Sequence, residues 1–155
     1  MKTALIALMA CAAMAPAASA AEMIHGDGMT GPEVVAWLQK AGYKAALSKD
    51  SGGDPMIDSA SGGANFKIYF YDCKDARCKA LQFSAGFNLK EPLTLEKANA
   101  WNSKHRYLKT YLDEEGDPYV QYDVNLNAGR TIEGLNDDFE IWVDMLPDFT
   151  TFIDW

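Results

Sequence analysis

The sequence has few of the residues on which most catalytic and metal centres are built. It contains three cysteines and two histidines among 155 residues, and it lacks the G-x-S-x-G motif of serine hydrolases. Basic residues are also scarce, because 14 lysines and arginines stand against 22 aspartates and glutamates and leave a net charge of −8. A surface this acidic repels phosphate backbones and offers no polybasic patch to anionic lipid, which argues against nucleic-acid binding.

Long apolar runs are missing as well, except at the N-terminus. Lys2 precedes an alanine-rich apolar run over residues 4–15, and Ala18-Ser19-Ala20 supplies the small residues that signal peptidase accepts. We therefore predict that residues 1–20 are a signal peptide cleaved near Ala20, and that the mature protein is periplasmic or secreted. A buried N-terminal helix and a lipoprotein processed at Cys11 are the alternatives. No later run reaches the ~20 apolar residues of a membrane-spanning helix.

Signal cleavage would leave Cys73 and Cys78 as the remaining cysteines, an even number that suits an oxidising compartment. They flank a four-residue loop between two strong strand patterns, so they should face each other at the separation that a disulfide needs. A redox-active pair would favour two intervening residues and a helix N-terminus. A zinc site would need two more ligands at finger-like spacing. We predict a structural disulfide.

Hydrophobic periodicity predicts a single α+β domain over residues 30–155, preceded by a flexible, Gly-rich leader at 21–29. Thr30 and Glu33 have the spacing of a capping box and open the first helix. The elements expected after it are strands at 44–48, 56–60, 66–71 and 80–87, a helix at 95–108, a hairpin at 109–113 and 119–126, and a helix at 133–153. The order α-β(3-4)-α-β-β-α predicts an antiparallel sheet flanked by helices. We see no internal repeat at a solenoid period.

The last helix carries more apolar residues than one buried stripe requires. Such a surplus often marks a surface that contacts a partner. The candidates for partner contacts are Trp142, Met145, Phe149, Phe152 and Trp155. The alternative is that Pro147, which should kink or split the helix, turns both apolar faces into one core.

Two further hypotheses concern polar residues. A small hydrolase-like enzyme would need a site that unites a histidine, an arginine and carboxylates. The candidates are His105, Arg106, Asp113, Asp117 and Asp123. A weak metal-binding protein would use the thioether and imidazole groups of Met23, His25 and Met29, which suit Cu(I). Because His105 lies on an apolar helix face and the acidic residues crowd a hairpin tip, we expect no catalytic residue, metal or cofactor.

Several uncommon motifs follow one another along the chain: FKIYFYDC at 66–73, CKALQF at 78–83, Ala100-Trp101-Asn102 with Arg106, YLD at 111–113, GDP at 116–118, and Asp123. In order and spacing they resemble the YbjN domain family of bacterial sensory transduction regulators. The resemblance spans roughly residues 30 to 153 and implies a fold like that of type III secretion chaperones, often dimeric, without enzyme activity. We therefore favour an exported, non-catalytic domain that binds a protein or peptide or acts as a regulatory module, with a homodimer as one option.

Overall fold

The computed structural model describes residues 20–155, so most of the predicted signal peptide, with Cys11, lies outside the described residues. Within this range the elements are β1 Met29–Thr30, α1 Gly31–Lys40, β2 Ala46–Lys49, β3 Pro55–Ser61, β4 Ala64–Lys74, β5 Arg77–Gly86, α2 Leu95–Lys104, β6 Lys109–Leu112, β7 Pro118–Asn125 and α3 Ile132–Ile153. The α+β class and the antiparallel sheet with helices are confirmed. Likeness to type III secretion chaperones stays a prediction.

All of these strands belong to one antiparallel sheet. Its order is β2-β3-β4-β5-β7-β6, and β1 pairs with the start of β5. Side chains alternate along each strand, so Phe66, Ile68 and Phe70 of β4 are buried while Tyr69 and Tyr71 point the other way. The sheet thus has a core face and an outer face.

The helices pack on the core face. α3 crosses the centre of the sheet, where Phe139 and Trp142 meet Phe66 and Phe83 at ring-centroid distances of 5.5 to 6.3 Å. Aromatic rings at these distances and inclinations pack favourably. Within residues 20–155, no helix covers the outer face of the sheet.

Two tryptophans attach the other helices to α3. Trp37 of α1 lies 5.1 Å from Phe139, and Trp101 of α2 lies 4.9 Å from Phe149, measured between ring centroids. α2 ends at Lys104, earlier than predicted, since the chain turns into an extended conformation at His105. The indole N–H of Trp101 donates to the Leu108 carbonyl, which lies beyond that turn, at 2.6 Å. This hydrogen bond fixes the turn.

α3 runs without a break through Pro147, so the predicted split is wrong. The proline lacks the N–H of an ordinary helical residue. On its C-terminal side, the hydroxyls of Thr150 and Thr151 donate to the Pro147 carbonyl at 2.8 and 2.9 Å and add hydrogen bonds to the next turn of the helix. The ring also packs on the β3–β4 turn, where a Cβ on Gly62 would come 2.8 Å from it. One buried stripe therefore continues on both sides of Pro147, formed by Leu135, Phe139, Trp142, Leu146, Phe149 and Ile153.

Residues 21–29, expected to be a flexible leader, pack against the rest of the domain. Ile24 and Met29 are 7% and 6% exposed. The Ile24 N–H donates to the Arg130 carbonyl at 2.9 Å, and Met29 pairs with Cys78 across β1 and β5. Backbone pairing with distant parts of the chain therefore places this segment inside the folded unit.

The domain contains two copies of one helix–hairpin unit, α1-β2-β3 and α2-β6-β7. The matched residues are Thr30 and Thr94, Trp37 and Trp101, Tyr43 and Tyr107, Asp50 and Asp113, Gly53 and Gly116, Asp54 and Asp117, and Pro55 and Pro118. The two members of each of the first three pairs are separated by the same number of residues in the sequence. In the remaining pairs that separation is one residue shorter. Both threonines are helix N-caps. The carboxylates of Asp50 and Asp113 each accept the backbone N–H groups two and four residues further on. The two hairpins occupy opposite edges of the sheet.

Candidate interaction surface

Four tyrosines stand on the outer face of the sheet, and we term Tyr69, Tyr71, Tyr111 and Tyr119 the tyrosine face. They come from β4, β6 and β7, whose core-facing residues alternate with them. Tyr71 and Tyr111 are 47% and 43% exposed. The rings of Tyr111 and Tyr119 stack with centroids 5.3 Å apart. Tyr119 also covers Gly86 of β5, where a Cβ would lie 2.6 Å from the ring.

A chain of polar contacts crosses the outer face beside these rings. The Gln82 amide donates to an Asp123 carboxylate oxygen at 2.7 Å, and Lys109 donates to the other oxygen at 3.2 Å. The Tyr71 hydroxyl lies 3.4 Å from the Gln82 carbonyl oxygen and donates to it. Gln82 is only 8% exposed, so this network satisfies polar groups that the surrounding rings shield from water.

Burial raises the pKa of both exposed tyrosines above the ordinary value of 10.0. For Tyr71 the negative charge of Asp123 adds to the effect of burial, and for Tyr111 the neighbouring tyrosines and Asp113 do so. Both hydroxyls are therefore neutral at physiological pH, so Tyr111 can donate a hydrogen bond to a ligand, while Tyr71, whose proton is directed to Gln82, can accept one. Large rings with a polar edge, on a surface that residues 20–155 leave uncovered, suit contact with another protein.

The partner residues predicted on α3 do not form one exposed surface. Trp142 and Phe149 are 0% exposed and belong to the core, which rules them out as contact residues. Met145 and Phe152 are half-buried, and the Phe152 ring packs 5.3 Å from Trp101. Trp155 alone of the five is well exposed, at 55%. Both apolar faces of α3 are used internally, because one side of the helix packs on the sheet and its other sides contact the tryptophans of α1 and α2.

The five residues proposed for an enzyme site engage different parts of the structure. The His105 ring stacks on Trp101 at 3.7 Å, with Nδ1 3.0 Å from the Trp101 carbonyl oxygen. Arg106 lies over the Tyr107 ring. Asp123 belongs to the polar network of the outer face. His105 is therefore a packed histidine at the end of α2.

The remaining two, Asp113 and Asp117, hold the β6–β7 turn. With Glu115 they place carboxylate oxygens within 4.8 Å of one another. Asp113 accepts the N–H groups of Glu115 and Asp117 at 3.0 and 2.9 Å, and Asp117 accepts that of Leu89 at 2.9 Å. These hydrogen bonds account for the cluster as part of the hairpin.

Met23, His25 and Met29, the residues considered for Cu(I), line one cavity of about 410 Å³ beside Trp37. Met29 is 6% exposed, whereas Met23 is 58% exposed. His25 Nδ1 accepts the N–H of Asp27 at 3.1 Å. The structure thus brings the three residues to the same cavity, in which one imidazole nitrogen is already engaged.

Cys73 and Cys78 form a disulfide, and the predicted pairing is present in the structure. They lie opposite each other on β4 and β5. The connection is tighter than the predicted four-residue loop, because the strands continue to Lys74 and Arg77. Only Asp75 and Ala76 remain as the turn, and both have positive φ, as the mirror-image turns of two-residue hairpins require.

Asn102 of α2 has a structural role at the β6–β7 hairpin. Its side-chain oxygen accepts the Thr110 N–H at 2.8 Å, and its amide nitrogen donates to the Thr110 carbonyl at 3.0 Å. Thr110 lies on β6, the last strand of the sheet. Asn102 therefore caps the outward-facing backbone groups of one sheet edge.

Within the described part of the chain, no helix combines the length and the apolar character needed to cross a membrane. A family model, YbjN, with the description "Putative bacterial sensory transduction regulator", matches residues 32–155. No curated protein matches the chain.

Proposed function

Because this chain belongs to the YbjN family, we propose that it is an exported, non-catalytic domain that binds a protein partner through its tyrosine face. The family description is that of a regulator, and regulators act by contacts with other molecules. The observation that carries the proposal is a sheet face on which Tyr71 and Tyr111 are 47% and 43% exposed, with all helices of residues 20–155 on the opposite side. Tyrosine is enriched in the core of protein interfaces.

Export is supported by the N-terminal apolar run and by the disulfide, since disulfides persist in oxidising compartments. The test uses the protein recovered from the cells that produce it. N-terminal sequencing should find a chain beginning near Ala21, and thiol labelling should find Cys73 and Cys78 unreactive. An uncleaved N-terminus with two reactive thiols would refute export.

Partner binding is tested with a photoreactive amino acid at single positions. We expect a crosslinked complex when the probe replaces Tyr71 or Tyr111. The matched control is Leu95, which is 74% exposed on α2 and far from the outer face in the sheet architecture. Mass spectrometry of the complex then identifies the partner.

A second variant tests whether the rings themselves bind. Tyr71→Ser combined with Tyr111→Ser should abolish the interaction with the identified partner while circular dichroism and the urea midpoint stay close to those of the wild type. Crosslinking that is equally strong from Leu95, or binding unchanged in the double variant, would contradict the assignment of this face.

A further inference from the structure

The two edges of the sheet differ, although they are built by equivalent units. In an antiparallel pair, residues alternate between positions bonded to the partner strand and positions whose N–H and C=O groups point away. The Asp113 N–H donates to the Asp117 carbonyl, so Asp113 and Asp117 form a bonded pair. Thr110 lies three residues before Asp113 and opposite Val120. Because bonded and non-bonded pairs alternate, the backbone N–H and C=O groups of Thr110 point away from β7. The two hydrogen bonds from Asn102 satisfy those outward groups.

The same count on the other hairpin identifies Leu47 as the residue equivalent to Thr110. The Asp50 N–H bonds to the Asp54 carbonyl, and Leu47 lies opposite Ile57. The backbone N–H and C=O groups of Leu47 and Lys49 therefore point away from β3, at an edge of the sheet with which no other described strand pairs. Leu38 stands at the position equivalent to Asn102, since each directly follows the matched tryptophan of its helix, and its side chain carries no hydrogen-bonding group.

Exposure follows this difference. Thr110 is 6% exposed and Leu47 is 47% exposed. Beside Leu47 lies a cavity of about 350 Å³ whose walls include Gly31, Pro32 and Pro55. An added strand would put alternate side chains into this cavity and on the outer face next to Ser48.

The charge around the β2 edge is opposite to that of the whole chain. Lys44 and Lys49 flank it, and neither forms an ion pair with another described residue, whereas the chain carries a net −8. The Asp50 carboxylate is turned into the hairpin, where it accepts backbone N–H groups. A second copy would bring the same lysines to the edge, and lysine on an edge strand disfavours such self-pairing. An acidic segment would match the charge.

We propose that the free edge of β2 accepts an extended acidic segment of the partner protein as an additional strand. The backbone groups of Leu47 and Lys49 supply the hydrogen bonds, and the cavity beside Leu47 receives an apolar side chain of the added strand. Main-chain pairing at a sheet edge is an established mode of peptide recognition. This inference rests on the proposed function and specifies the chemistry of the segment that is bound.

The probe is a capped heptapeptide that alternates glutamate and valine, and its control is the same peptide with lysine in place of glutamate. Amide hydrogen exchange of the ¹⁵N-labelled protein is followed by NMR with each peptide. The acidic peptide should slow exchange at Leu47 and Lys49 at least tenfold, and the lysine peptide less than twofold. Leu47→Pro removes an N–H that points away from β3, so the β2–β3 ladder survives while peptide binding is lost. Leu47→Val, which keeps the N–H, should bind within about threefold of the wild type.

The outcomes separate this inference from the proposed function. Unprotected Leu47 and Lys49 amides together with a partner crosslinked to the tyrosine face would overturn the edge site and leave the proposed function standing. Protection that rises with protein concentration in the absence of peptide would show a second copy at the edge and would also overturn it. If neither the crosslinks nor the protection is found, both proposals fail.

Discussion

Removing the side chain of Asn102 should destabilise the domain by about 2 kcal/mol. The substitution Asn102→Ala deletes two hydrogen bonds to Thr110, of 2.8 and 3.0 Å, and each such bond contributes about 1 kcal/mol net. Asn102 itself is exposed, so water can reach the released groups and no larger penalty is expected. For a domain of this size the loss corresponds to a fall of about 4–8 °C in Tm.

Urea unfolding measures this effect, with the m value as a check that the unfolding transition is unchanged. Asn102→Asp keeps the acceptor for the Thr110 N–H but loses the donor to its carbonyl, so it should cost roughly 1 kcal/mol. Asn125→Ala is the control, because Asn125 is exposed on β7 and its loss should change stability by less than about 0.5 kcal/mol. Amide exchange of Thr110 should accelerate in Asn102→Ala. If Asn102→Ala matches Asn125→Ala in stability and leaves Thr110 exchange unchanged, the cap has no energetic role.

Three further changes test other parts of the fold. Replacing Cys73 and Cys78 together by serine should lower the free energy of unfolding by about 2 kcal/mol, the loop-entropy value for so short a ring; no change in the urea midpoint would refute it. Burial by itself would raise the pKa of Glu33, but hydrogen bonds from Thr30 and Arg77 and the Arg77 charge outweigh it and hold the pKa below its ordinary 4.5. The stabilisation that the ionised Glu33 contributes is therefore present above pH 4.5 and is lost as the pH falls through its folded-state pKa. Glu33→Gln should reduce the loss of unfolding free energy in acid. An acid profile identical to that of the wild type would contradict this. Ala76→Gly should stabilise the domain by about 0.5–1 kcal/mol, because Ala76 has φ of 65° and left-handed backbone favours glycine; a lower thermal midpoint would disprove it.

Features set by neighbouring residues were predictable from the sequence. Thr30 and Glu33 form the predicted capping box, since both partners lie within the first turn of α1. Cys73 and Cys78 pair as predicted, because the strands on both sides force them together. In each case the interacting groups are only a few residues apart, so the pattern alone fixes the geometry.

Features that depend on distant contacts were not predictable in this way. Residues 21–29 have the composition of a loose leader, but the Arg130 carbonyl and β5 supply hydrogen bonds that local sequence does not reveal. Trp142 and Phe149 were predicted to contact a partner, because a single stripe needs fewer apolar residues than α3 carries. The helix instead contacts the sheet on one side and the tryptophans of α1 and α2 on others.

The sequence contains an internal repeat, but this repeat differs from those of solenoid proteins. A solenoid repeats many times at a short period, whereas this domain repeats once, with a single long shift between the two copies. The repeated pattern D-x-x-G-D-P at 50–55 and 113–118 reveals it. The role of Asn102 needed the structure as well, because only the register of β6 on β7 shows that the Thr110 backbone groups point outward.

Because equivalent units form both edges of the sheet, the Asn102 cap should also limit the pairing of one chain with the next through these edges. With both edges free, β2 of one chain could pair with β6 of the next, a head-to-tail contact that extends without closing. Asn102 bonds to the β6 edge and would block that contact, whereas no described strand pairs with the outer side of β2. Asn102→Ala should therefore form oligomers that grow with concentration in light scattering, and adding Leu47→Pro should return the protein to the wild-type size. Oligomers that persist in the double variant would show that growth proceeds through another surface, and the assignment of Asn102 as a block on strand pairing would be wrong.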